Sequence, residues 1–231
     1  MDRLYSRSGK LIALYSVFND ARLIEESIRS IDQLVDEVRV YDGRYSGYNC
    51  TCGQAHDFSC DETKEAVSRI QSETGINIKY VQLQTMYEFD KRQIMFDELK
   101  LGDTGFVIDG DEIFYGDRSE ILRFTQATEL STLSKKCGRM FLLGLEAGRD
   151  KYHRLHVKTN GLKIVPSGKM GYWFEDDEGP YLEPVHVYMF QQARIVHLMS
   201  NGIGAGFRPK NRDKARFAYN NNLQKGLIKS A

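Results

Sequence analysis

The chain has 231 residues, 32 basic and 32 acidic side chains, and an aromatic content of 11%. That length buries a real core, and the aromatic content excludes a disordered chain. The balanced charge points away from nucleic acid and from anionic membrane surfaces, and no run approaches the roughly 20 apolar residues of a membrane span. The start, Met1 to Lys10, is polar and leads at once into a strand-like run, so no export signal is read and a cytoplasmic location is expected. Cysteines stand at 50, 52, 60 and 137, three clustered and one alone, which is not the framework of a secreted disulfide protein.

Leu11 to Phe18 (LIALYSVF) is short, apolar and without helical period, which predicts a buried strand. Asn19 and Asp20 offer caps to an amphipathic helix over 20–33, with Leu23, Ile24, Ser27, Ile28 and Ile31 at helical spacing. Glu37 to Tyr41 reads as a second strand, stopped by Asp42-Gly43. Arg44 to Phe58, polar and cysteine-bearing, reads as a loop. Ser59-x-x-Glu62 fits a capping box that opens a helix through Ala66, Val67 and Ile70. Ile76 to Leu83 predicts a third strand, Glu88 to Leu101 a helix, and Gly105 to Asp109 a fourth strand. Strand and helix thus alternate through the first 115 residues, which implies right-handed crossovers and a parallel sheet covered on both faces. Beyond about residue 120, Arg139–Leu145, Arg154–Lys158, Leu162–Val165 and Val185–Leu198 read as strands, with the acidic stretch WFEDDEGPYLE between them. Arg208 to Lys225 is basic and Asn-rich. With no repeat and no linker, residues 1–231 read as one domain, its halves meeting near residue 120.

Ligands of such sheets bind beyond the carboxyl ends of the strands. Those ends carry Ser16–Asn19, Asp42-Gly43 and Asp109–Glu112. In Asp109-Gly110-Asp111-Glu112, two carboxylates one residue apart point to one side of extended backbone, and the glycine between them permits close approach of a ligand. Mn²⁺ and Mg²⁺ favour oxygen donors and are commonly held by one or two carboxylates with substrate phosphate and water. An EF-hand loop is disfavoured because Ile113 stands where a third oxygen ligand belongs.

These pieces together resemble the family 2 glycosyltransferases and their GT-A relatives. YSVFND matches the first strand's polar turn, and VRVYDG the second strand ending in Asp-Gly. Ser59-Cys60-Asp61-Glu62-Thr63 matches a helix start after an inserted loop. Arg92 in DKRQIMFDEL and then FVIDGDEIF match the subgroup whose motif is Asp-x-Asp-Glu. The resemblance spans about residues 10–120. It implies a three-layer GT-A fold with a mixed, mostly parallel central sheet. It implies a metal-dependent, inverting transfer of a hexosyl-type sugar from a nucleotide diphosphate donor to a carbohydrate, lipid-linked or protein acceptor. Ser16 and Phe18 would line base and ribose, Asp42 would accept from the base, and Arg92 would orient the donor or its diphosphate. Asp109, with Gly110 beside it, and Asp111 would serve ribose and metal, Mn²⁺ or Mg²⁺. Because a carboxylate only accepts, Asp42 favours uridine donors first, guanosine second and adenosine last.

The general base is expected in Glu175-Asp176-Asp177-Glu178, with Asp176 or Asp177 preferred, and Tyr172 and Trp173 beside it could stack on a sugar or belong to the core. His197 in RIVHL would complete the metal shell or touch the diphosphate, ahead of His186. Gly202–Gly206, followed by Arg208, Lys210 and Arg212, reads as a lid or as a basic surface run. Cys50, Cys52, His56 and Cys60 could hold a structural Zn²⁺, although the spacing matches no standard finger, and reduced thiols or a disulfide stand beside that reading. Two other functions compete. A nucleotidyltransferase would carry glycine in the first turn, where SVFND has none. A non-catalytic nucleotide-sugar-binding module stands beside it, and the intact Asp109/Asp111 pair argues against such decay without excluding it.

Overall fold

The computed structural model describes residues 9–46, 56–116, 118–119, 121–122, 140–145, 151–167, 171–177, 179–180 and 187–197. Its core follows from the apolar runs. β1 (Leu11–Val17), β2 (Glu37–Asp42), β3 (Ile78–Gln82) and β4 (Thr104–Asp109) lie parallel in the order β3-β2-β1-β4. Every residue of β1 except Ser16 is buried, as expected of a strand covered on both faces.

One face packs on α1 (Ile24–Ile31) and α2 (Thr63–Thr74) through Ile24, Ile28, Ile31, Ala66, Val67 and Ile70. The other packs on α3 (Glu88–Asp97) through Met95 and Phe96, joined by Leu99 just past its end. The architecture is therefore a three-layer α/β fold with a mixed, mostly parallel central sheet. Among the described residues, no helix is long and apolar enough to cross a membrane.

The predicted helices are shorter than their patterns. α1 starts at Ile24 and no side chain caps it; the Asp20 carbonyl takes the N–H groups of Leu23 and Ile24 instead. The capping box is not formed either. No side chain caps α2, and the Ser59 hydroxyl donates to Asp42.

The sheet continues through β7 (Lys151–Val157), β6 (Met140–Leu145), β11 (Val187–His197) and β5 (Glu112–Tyr115). β6 and β11 run in the direction of β4, while β7 and β5 oppose it. β5 was not read from the sequence. Asp109 and Glu112 are at most about 11 Å apart along the chain. Four strand spacings, from β4 to β5 through three intervening strands, would span about 19 Å in a flat sheet. The ladder from β4 to β5 therefore curls back on itself.

A second sheet of β8 (Lys163–Ser167), β9 (Gly171–Asp176) and β10 (Gly179–Pro180) packs on α3, with Phe174 edge-on to Phe96 at 5.7 Å. The stretch WFEDDEGPYLE thus contributes a strand, with Phe174 inward and Glu175 paired to Lys163 at 2.6 Å.

Candidate functional site

The carboxyl ends of β1, β2 and β4 share one rim, as their parallel order requires. Sheet order reverses between β1 and β4, and there Ser16 pairs in register with Asp109. This is the switch-point crevice in which open α/β sheets hold ligands.

Several elements fix the turn from Asp109 to Glu112. The Asp109 N–H donates to the Glu112 carboxylate at 2.9 Å. Glu112 is fully buried and ion-paired to Arg154 of β7. Ser27 of α1 donates to the Glu112 carbonyl and lies 3.4 Å from that of Asp109. Two guanidinium groups flank the Asp109 carboxylate, Arg92 at 3.9 Å and Arg154 at 3.8 Å. Arg92 is anchored by Glu88 at 2.9 Å, one helical turn away. Arg154 was not foreseen, and its short strand offers no periodicity that separates it from a surface charge.

Gly110 has a different reason from the one expected. A β carbon there would stand 2.9 Å from the Asp20 carboxyl, so the glycine makes room for Asp20. Asp20 is not a helix cap. Its carboxyl accepts the Phe18 N–H at 3.2 Å and faces the acidic turn. Withdrawal from water, then the charges of Asp111 and Asp109, push it up to about 8. Its signal in the sequence was its place: an acid just past the first strand end falls on the same rim as the motif.

Asp42 is also buried, and its carboxylate is engaged. It accepts from the Ser59 N–H at 3.0 and 3.1 Å, the Ser59 hydroxyl at 2.6 Å and the Tyr80 hydroxyl at 2.7 Å. A carboxylate offers about four acceptor positions. Three donors thus fill most of the Asp42 carboxylate and tie it to the segment leading into α2 and to β3. Ser59 in turn accepts the Asn19 N–H at 2.8 Å, where Asn19 adopts φ of 59°. Ser16 is occupied with Tyr45, hydroxyl to hydroxyl at 2.6 Å.

Asp176 and Asp177 do not reach this rim. Asp176 accepts from Thr159 at 2.8 Å, and the Asp177 N–H donates to the Asn160 carbonyl at 3.2 Å. Residues 158–160 follow Val157, which pairs with Thr104 at the opposite end of β4. The Lys158 N–H confirms the level, donating to the Asp103 carbonyl at 2.7 Å. Asp109 is five residues further along the strand, about 16 Å away. A general base must lie within about 3 Å of its proton, and the fold does not bring Asp176 or Asp177, the expected bases, beside the acidic turn.

The backbone of His197 pairs with Glu112 on the correct rim; its side chain lies outside the described residues. Cys50, Cys52, His186, Glu178 and the basic C-terminal stretch also lie outside them, while His56 is half-buried and Cys60 exposed. Among the described residues, no three His, Cys, Asp or Glu side chains converge on a preformed metal shell.

No protein-family profile and no curated protein sequence matches the chain. Among the solved structures whose fold is similar are two of different activity. TarS from S. aureus is 17% identical with a TM-score of 0.40, over 68% of this chain and 25% of that one. A mannose-6-phosphate isomerase from Helicobacter pylori is 13% identical with a TM-score of 0.41, over 72% of this chain and 60% of that one. The chain therefore spans only part of either protein, and likenesses this distant carry no argument about function.

Proposed function

We propose that the chain is a metal-dependent glycosyltransferase of the GT-A type, probing its rim with a nucleoside diphosphate sugar and transferring the sugar, with inversion, to an acceptor hydroxyl. The observation that carries this reading is the Asp109-Gly110-Asp111 turn at the β1/β4 switch point, flanked by the guanidinium groups of Arg92 and Arg154.

The donor set suits a hard divalent cation. Asp111 and Asp109 offer carboxylate oxygens, and the Asp20 carboxyl packs against Gly110 between them. Asp111 would hold Mn²⁺ or Mg²⁺ with the donor's phosphates completing the shell, and His197 is the candidate protein partner. When bound, the cation supplies Lewis-acid stabilisation of the departing diphosphate. The chain's own contribution is cationic: Arg92 and Arg154 are preset, with little exposure, beside the Asp109 carboxylate. Such preorganised charge acts where negative charge develops. Ser16 and Phe18 line the adjacent end of β1. The acceptor's proton must go to a group on this same rim.

Thermal shift with UDP, GDP and ADP, with and without Mn²⁺, tests the reading. A ligand at 100 times its Kd adds about 2.7 kcal/mol of stability. Mn²⁺-dependent stabilisation is expected, and it should vanish in Asp111→Asn while the variant stays folded. No response to any nucleoside diphosphate with Mn²⁺, or an unchanged response in Asp111→Asn, overturns it.

A further inference from the structure

Lys91 and Met95 of α3, with Leu99 just past its end, form a buried row at i, i+4 and i+8. Lys91 is 1% exposed, although it is a lysine within an apolar stripe. Lysines are almost never fully buried unless partnered, and this one has specific partners. Its ammonium donates to the Gly43 carbonyl at 2.7 Å and to the Val17 carbonyl at 3.2 Å. Those carbonyls end β2 and β1, where the last ladder bond, Gly43 N–H to Val17 carbonyl, is 3.0 Å. The nitrogen also stands 5.0 Å from the centre of the Tyr45 ring. Tyr45 in turn holds Ser16, the register partner of Asp109. One side chain thus joins the helix, the fork between two strands and the wall of the switch-point crevice.

We propose that Lys91 is a positioning residue for nucleotide binding: it fastens the carboxyl ends of β1 and β2 and sets Tyr45 and Ser16 in place beside Asp109. Its effect therefore falls on donor affinity. This rests on the proposed function for the identity of the ligand, but the fastening itself does not.

Burial is the largest influence on the ammonium and lowers it to about 7; Asp42, Asp20 and Asp109 oppose that shift, and Arg92 adds to it. These are the charged groups that face it, together with the Tyr45 ring from the segment after β2. As pH rises through neutrality the ammonium loses its charge and the fastening weakens. Nucleotide affinity should fall over the same interval.

The experiment compares wild type, Lys91→Met and Lys91→Arg in two measurements. The first is hydrogen exchange of the ligand-free protein at peptides covering 16–19 and 42–46. The second is calorimetry with UDP and Mn²⁺ between pH 6 and 8.5. Lys91→Met should speed exchange in both peptides and weaken UDP by about tenfold, the scale of one hydrogen bond to a charged group. Lys91→Arg should restore slow exchange and affinity while flattening the pH profile, because a guanidinium does not titrate there. Unchanged exchange in Lys91→Met overturns the fastening, and so does a pH profile that Lys91→Arg leaves as in wild type. If wild type binds no UDP while Lys91→Met still loosens both peptides, the nucleotide reading has failed and the fastening stands.

Discussion

Arg154 and Glu112 give a sharp test of how the acidic turn is held. Glu112 is fully buried and Arg154 is 6% exposed. Removing one member of a buried pair leaves an uncompensated charge and costs about 3–5 kcal/mol. The two single variants should differ. In Arg154→Met, the Glu112 carboxylate loses its charged partner, and the full cost is expected. In Glu112→Gln, the Arg154 guanidinium keeps the Asp109 carboxylate at 3.8 Å, and the new amide oxygen can still accept the Asp109 N–H. Its cost should be clearly smaller. The double variant buries no unpaired charge from this pair and should recover most of the Arg154→Met loss. Urea unfolding at pH 7 measures all three. A domain of this size shifts about 2–4 °C per kcal/mol, so Arg154→Met should melt roughly 6–20 °C below wild type. Equal losses in the two single variants, or a double variant no better than Arg154→Met alone, would refute the argument.

Other expectations follow from the same geometry. Asp176→Asn and Asp177→Asn should each leave turnover near wild type, because their level of the fold is about 16 Å from the acidic turn; loss of turnover with donor binding intact in either would contradict the placement. Asp42→Ala strands the donors of Ser59 and Tyr80 and should lower stability by at least about 2 kcal/mol in denaturant titration. Loss of UDP affinity with stability unchanged would return Asp42 to the role of base reader. Asp20 makes stability depend on pH. Its carboxyl rises from an ordinary 3.8 to about 8 on folding, so between those values the folded chain holds a proton that the unfolded chain has released. Stability from this group is complete below about 4 and declines as pH rises towards 8. Asp20→Asn should flatten that limb of the stability profile; an unchanged slope would show that Asp20 is not its source.

The sequence made the first half of the fold legible because β1 to β4 are buried on both faces and read as plain apolar runs. It made the acidic turn legible because parallel strand order alone gathers Ser16, Asp42 and Asp109 on one rim. What stayed hidden depends on facts that no local pattern carries. Asp42 was assigned to the ligand, yet hydrogen bonds from Ser59 and Tyr80, 17 and 38 residues away, occupy it. Asp176 was placed near the chemistry because acids in that region suggested a base; only the antiparallel return of β7 along β4 shows that it belongs to the opposite end. β5 went unseen because its four residues directly follow the motif, and its partner is β11. Lys91 was overlooked in favour of its neighbour Arg92, although its alignment with Met95 and Leu99 was present in the periodicity.

The curl of the sheet has a consequence for the order in which the molecule assembles. β5 pairs with β11, so Glu112 meets His197 across 85 intervening steps of chain. Long-range pairings of this kind form slowly, because chain closure precedes any gain from contact. The parallel core of β1 to β4 can condense on a growing polypeptide while β11 is still being made. The acidic turn would then acquire its outer strand late, so the turn proposed to carry the chemistry is also one whose maturation waits for β11, the last of the described strands.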